Sequence, residues 1–163
     1  MRRSIEIAVI AVFSALTAVV TAYVGSFFPS PTGGYTHIGD SIIFIAALLF
    51  GARVGSFVGA IGSMVADLIV HYRFWYVSII AHGLEGFIAG IAKGKKVYLQ
   101  ALLCFLGGVV MSFTYFSVNV FIKGFGPALA SLFRDIFGQT LVSTIIAVPI
   151  VKAVEKAMGT RIK

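Results

Sequence analysis

The chain has 163 residues, 59% of them hydrophobic and 12% charged, with a mean hydropathy of +1.01. Too few polar residues are present to cover a water-facing surface, which excludes a cytosolic globular domain and marks an integral membrane protein. The formal charge of +7 comes from basic residues set between apolar runs, so they act as topology signals, and no nucleic-acid partner is expected.

A helix that crosses about 30 Å of hydrocarbon needs about 20 apolar residues. Six segments come near this, at 4–27, 39–51, 54–70, 77–92, 97–122 and 127–154. They predict an all-α bundle of six transmembrane helices forming a single domain over 1–163. The second segment is short, and is expected to be tilted, half-buried or packed inside the bundle. Barrel strands would alternate apolar and polar residues, whereas Ile42 to Phe50 is apolar on every face. The opening Met1-Arg2-Arg3 resembles a signal peptide, but the run that follows is too long and Glu6 interrupts it. It reads as the first membrane helix.

Along that helix Ala11 and Ala15 form an AxxxA pair, and Ala18 and Ala22 repeat the small-residue spacing. Gly55, Gly59, Gly62 and Ser63 make a similar strip on the third segment, and Gly86 and Gly90 on the fourth. Small residues at this spacing let helices approach closely in lipid, and most of these strips are expected to pack within the chain. The longest loop, Phe28 to Asp40, carries two prolines and a Gly-Gly pair that forbid a regular helix. A second loop, His71 to Tyr76, sets four aromatics beside Arg73.

Orientation follows from the basic residues. Arg2, Arg3, Arg53, Lys93, Lys95, Lys96, Lys152, Lys156, Arg161 and Lys163 fall on the side of the N-terminus, against Arg73, Lys123 and Arg134 on the other. That bias predicts cytoplasmic termini and a multi-pass protein of a plasma membrane.

Ionisable groups inside a bilayer cost roughly 2.5–3.5 kcal/mol each on insertion scales and need a reason. Asp40, Asp67, His82, Glu85, Asn119, Arg134, Asp135 and Gln139 all fall toward the outer side, while Glu6 and Glu155 lie near the inner face. His82 and Glu85, three apart, share a helix face, as do Asp135 and Gln139, four apart. The asymmetry predicts a polar cavity that opens outward beneath the two loops. Tyr35, Phe74, Trp75, Tyr115 and Phe116 are candidates to stack a planar heterocycle in it. A purely structural reading is that Arg134 or Arg73 pairs with Asp67 or Asp135 to hold helices together.

No GxxxxGK[ST] phosphate loop and no HExxH motif occurs, and one cysteine with three scattered histidines does not make a structural zinc site. No catalytic, metal or cofactor set is expected, and enzyme activity has no support beyond His82 and Glu85 as an acid–base pair.

Four blocks carry a resemblance: Tyr35-Thr36-His37-Ile38-Gly39-Asp40, Ala46 to Gly51, Gly59 to Ser63 with Ala66-Asp67-Leu68, and Gly83-Leu84-Glu85-Gly86 through Gly90. Together they resemble the substrate-binding S components of energy-coupling factor (ECF) vitamin transporters, in the riboflavin-type branch. The resemblance implies a prokaryotic membrane subunit that captures a vitamin or related heterocycle from outside, such as riboflavin, hydroxymethylpyrimidine or a pyridoxine-like compound. It further implies delivery inward with a transmembrane coupling protein and two cytoplasmic ATPases, the AxxxA pair Ala11 and Ala15 contacting the coupling protein. The substrate-binding candidates are Tyr35, His37, Asp40, Asp67, Trp75, His82, Glu85, Tyr115, Asn119, Arg134, Asp135 and Gln139. The alternative is a stand-alone secondary transporter or channel that uses Asp67, Glu85 and Asp135 as a relay.

Overall fold

The computed structural model describes residues 2–25 and 38–159, and no strand occurs among them. The chain runs through α1 (Arg3–Gly25), α2 (Asp40–Phe50), α3 (Ala52–Ile69), α4 (Trp75–Gly90) and α5 (Val97–Lys123). It then forms α6 (Phe125–Phe133), a π-helical stretch (Arg134–Leu141) and α7 (Val142–Ala157). Counted by length and apolar character, α1, α3, α5 and the continuous rod from Phe125 to Ala157 are each long enough to cross a membrane. The 11-residue α2 and 16-residue α4 are shorter.

Of the three arrangements open for the short second helix, the structure has it packed inside. Ile43, Phe44, Ala46, Ala47 and Leu48 of α2 have no solvent exposure. Phe44, Ala47 and Leu48 meet Ala89, Ala92, Cys104, Ala147, Val148 and Val151 in one apolar cluster, and Ile43 and Ala46 meet Val54 and Val58 in another. α2 is therefore apolar all round because it has neighbours all round.

Two chain reversals are made by single glycines. Gly51 joins α2 to α3 at φ 100°, and Gly124 joins α5 to α6 at φ 83°. A Cβ is disfavoured in that left-handed region, so glycine permits a one-residue connection. The turn after α3 uses His71 at φ 56° instead. There the Tyr72 N–H donates to the Asp67 carbonyl at 2.8 Å, closing the helix end with a bond from the residue after the left-handed one.

The small-residue strips on α3 and α4 pack against each other. A Cβ on Gly55 would lie 2.4 Å from the Gly86 carbonyl oxygen, and one on Gly59 would lie 2.1 Å from that of His82. Such contact is closer than any larger residue allows, and it brings the backbones within hydrogen-bonding range of side chains. Ser63 Oγ donates to Gly59 O at 2.7 Å and to Ser78 O at 3.2 Å, so one hydroxyl ties both helices. α4 also packs on α5, and α3 on α1.

The two ends of the bundle differ in charge. At one end Arg53 pairs with Glu6 at 3.2 Å, Lys93 Nζ donates to Phe50 O at 3.4 Å, and Lys152 pairs with Glu155 at 2.8 Å. The other end holds the start of α2, the α3–α4 turn and the α5–α6 joint, and near it lie Asp40, Asp67 and Asp135.

The rod at the end of the chain departs from a regular helix over Arg134–Leu141, where the winding is π. The stretch holds Arg134, Asp135 and Gln139 and is more polar than the helices on either side, but that polarity does not by itself signal a change of winding. π-helical turns inside α-helices are frequent at functional sites.

Candidate functional site

Helix α2 begins at Asp40, so its carboxylate lies in the first turn, where the positive end of the helix dipole offsets part of the cost of burying it. Asp40, His82 and Glu85 all have 0% exposure. His82 Nδ1 lies 2.7 Å from Glu85 Oε2 and 3.2 Å from Asp40 Oδ1, so one ring nitrogen bridges two carboxylates from different helices. The i,i+3 spacing makes the His82–Glu85 contact, and the close α3–α4 seam fixes the helix that carries both. The other oxygen of Asp40 accepts from Gln139 Nε2 at 2.7 Å, across 99 residues of sequence. Gln139 Nε2 also lies 4.0 Å from Met111 Sδ. Gln139 stands in the π-helical stretch, so the irregular winding carries the side chain that closes the site.

A second chain of contacts runs beside the first. Ser78 Oγ donates to Asp67 Oδ2, and Tyr115 O–H donates to Ser78 Oγ at 2.5 Å. The Tyr115 ring meets the His82 ring edge-on, with centroids 5.8 Å apart. Tyr115 therefore links the Asp67–Ser78 pair to the Asp40–His82–Glu85 cluster. Outside the helices, the Tyr72 phenol is pushed up to about 12, first by burial and then by the negative charge of Asp67.

The remaining candidates are distributed as follows. Arg134 Nη2 and Nε donate to Asp135 Oδ1 at 2.6 and 2.9 Å, an ion pair between sequence neighbours. It does not tie two helices, as a purely structural role would have it. Asn119 is buried on α5. Trp75 is 38% exposed at the start of α4 and meets Tyr76 edge-on. The aromatics expected to form one pocket fall into separate groups among the described residues, with Phe74 against Tyr72 and Tyr76, and Phe116 against Phe113 and Phe125. Tyr35 and His37 lie outside the described residues.

Ser78 and Met111 were not among the sequence candidates. Ser78 is one turn before His82 on α4, a spacing that signals the shared face once His82 is suspected. Met111 carried no signal, being one methionine in an apolar helix.

The donor atoms of Asp40, His82 and Glu85 all lie within 4.8 Å of one another, an arrangement a cation fits by distance. Sequence spacing does not show this, since the Asp comes from a different helix. From the Arg53–Glu6 end, Arg3, Glu6, Ile7, Ile10, Ala11, Ser14, Ala15, Arg53, Phe57, Ile61 and Val65 line a groove of about 560 Å³ that runs along α1 and α3 as far as Val65. Ala18 and Ala22 are buried, so the two small-residue pairs of α1 divide, one facing inward and one lining this groove.

An apolar helical bundle that buries a connected set of ionisable groups toward one end has the layout of a membrane transport protein. The chain belongs to the family described as the S component of ECF-type riboflavin transporters, whose model matches residues 3–156. It is 29% identical over 144 residues to the thiamine precursor transporter HmpT of Lactococcus lactis, covering 87% of this chain and 82% of that protein. An uncharacterized protein in the gap 3′ region of Pyrococcus woesei is 40% identical over 105 residues, covering 63% of this chain and 71% of that one. A UPF0397 protein of Lactobacillus helveticus is 30% identical over 82 residues, half of this chain and 44% of the relative. The chain is thus a vitamin-transporter S component and a multi-pass membrane protein, of a family that transports and does not catalyse.

Proposed function

We propose that this chain is the high-affinity binding subunit of a prokaryotic ECF importer, taking a vitamin or vitamin-precursor heterocycle at the acidic end. The observation that carries the reading is the buried Asp40–His82–Glu85–Gln139 cluster, built from three separate elements and linked through Tyr115 to Asp67. Buried ionisable groups in lipid are kept for function more often than for stability. Asp40, Asp67, His82, Glu85, Tyr115 and Gln139 contact or orient the ligand, with Arg134, Asp135 and Asn119 at the margin and Tyr35, His37 and Trp75 completing the set.

The basic end faces the cytoplasm by the positive-inside rule, with all six helical segments in the bilayer and both termini inside. The α1–α3 groove beside Ala11 and Ala15 receives a helix of the coupling protein, which works with two cytoplasmic ATPases, since this chain has no phosphate loop of its own.

The test is binding to the purified protein in detergent. Trp75 fluorescence and thermal unfolding are followed with riboflavin, 4-amino-5-hydroxymethyl-2-methylpyrimidine and pyridoxine. At least one is expected to bind at submicromolar concentration. A flat response to all three would overturn the reading, and uptake in cells without the ATPases would favour a secondary transporter.

A further inference from the structure

The groove along α1 and α3 is charged at one end only. Arg3, Glu6 and Arg53 line that end, and the wall beyond it is apolar apart from Ser14, whose hydroxyl is sealed from the surface. Glu6 meets Arg53 Nε at 3.2 Å while the Arg53 side chain stays 73% exposed, so the guanidinium is oriented with donors to spare. Arg3 is exposed too, and two arginines against one glutamate leave the mouth with a net positive charge.

The groove also has a definite depth. From Arg3 to Ala15 on α1, and from Arg53 to Val65 on α3, the helix rise is about 18 Å. One leaflet of a bilayer contributes about 15 Å to a hydrocarbon core about 30 Å thick. Resting on the topology proposed above, which turns the Arg53–Glu6 end to the cytoplasm, we infer that in the free subunit this groove holds one anionic phospholipid of the cytoplasmic leaflet. Its phosphate lies on Arg3 and Arg53, and one acyl chain runs along the apolar wall.

A chain of methylenes brings no donor or acceptor into the groove, so Phe57, Ile61 and Val65 are covered without stranding a polar atom. At the mouth, arginine presents paired N–H donors in a planar fork that matches the phosphate oxygens. A zwitterionic headgroup adds a second cation beside two arginines, whereas an anionic one cancels the excess. A second copy of this chain fits the groove poorly, because a two-fold contact sets the arginine pair against its own equivalent. The coupling-protein helix takes the same groove in the assembled importer, so docking displaces the lipid.

The test is native mass spectrometry of the purified full-length protein, released from detergent micelles that hold equal amounts of palmitoyl-oleoyl phosphatidylglycerol and phosphatidylcholine. One phosphatidylglycerol per protein is expected to stay bound, preferred by at least about tenfold over phosphatidylcholine. Arg3→Gln with Arg53→Gln is expected to bring that preference below about twofold. Ala11→Trp with Ala15→Trp is expected to remove the retained lipid by filling the groove. Glycerol phosphate, which has the headgroup charge and no chain, is expected not to displace the lipid from the unaltered protein. If the variants do not fold, the lipid preference and this competition decide. Equal retention of the two lipids overturns the inference, as does a preference that survives the loss of both arginines. Retention unchanged by the tryptophans, or displacement by glycerol phosphate, overturns the groove as the site. The titrations with riboflavin, the pyrimidine and pyridoxine decide the binding-subunit reading separately. Labelling of Arg2→Cys by an impermeant maleimide outside intact cells would overturn the topology, whatever the lipid result.

Discussion

His82 is held between two carboxylates, and Gln139 holds the far side of one of them, so each member restrains the next. Removing the charge from one member while keeping its shape should disturb ligand binding more than folding. Glu85→Gln and Asp67→Asn are each expected to weaken the favoured ligand at least tenfold by titration while eluting as monodisperse protein. For Asp67 the effect passes through Ser78 and Tyr115, whose hydroxyls it aligns. Gln100 provides a contrast: it is fully buried on α5, and neither amide atom has a hydrogen-bond partner. Gln100→Met should stabilise the protein by about 1–2 kcal/mol, because it removes two stranded polar atoms at nearly constant volume. Thermal unfolding checks it, and a lowered midpoint would mean the amide has a partner under working conditions. Tyr72 gives a pH signature. Its phenol titrates near 12 when folded against about 10 in a free chain, so its contribution is intact below pH 10 and is lost as pH rises toward 12. The difference in absorbance titration between the native protein and Tyr72→Phe should show a phenol that stays protonated at pH 11.

The elements owe their placement to two backbone devices. At the α3–α4 seam, Gly59→Ala puts a methyl where the His82 carbonyl oxygen lies 2.1 Å away, so the helices must separate. Such overpacking costs about 1–3 kcal/mol, and because His82 rides on the displaced helix, ligand affinity should fall with stability. The π-helical stretch is the second device. A wider turn accommodates one residue more than an α-helix would, and Gly138 beside Gln139 has no close neighbour that would resist a change. Deleting Gly138 should let the rod wind as a regular helix and rotate Gln139 away from Asp40. Binding is expected to drop more than tenfold with unchanged helical circular dichroism. A deletion variant that binds normally would show that the π winding does not serve the site.

Across the whole molecule the α1–α3 groove is lined by none of the residues of the Asp40–His82–Glu85–Gln139 cluster, so capture and docking should be separable by mutation. Ala11→Trp with Ala15→Trp fills the groove, and assembly with the coupling protein and uptake are expected to fail while ligand affinity stays within a factor of about two. Co-purification and ligand titration on one double variant measure both. A large loss of affinity would show instead that this face packs within the chain.

Features that repeat within one helix could be read without a structure. The apolar runs, the basic bias toward one end, the i,i+3 pair of His82 and Glu85 and the glycine strips all depend on neighbours a few residues apart. The blocks around Asp40, Asp67 and Glu85 were enough to suggest the family. Contacts between helices depend on where they cross and how far each is rotated, and no local pattern encodes that. Hence the union of Asp40 with Gln139 across 99 residues, the bridging role of Ser78 and the split between Ala11–Ala15 and Ala18–Ala22 appear only in the fold. The same holds for Arg134, for which Asp67 and Asp135 were both candidate partners and which pairs with Asp135, its neighbour in sequence. The sequence by itself determined that this is an apolar helical membrane protein with its acids gathered toward one end. Only the tertiary structure decided which of those acids meet, because that is settled by packing between segments far apart in the chain.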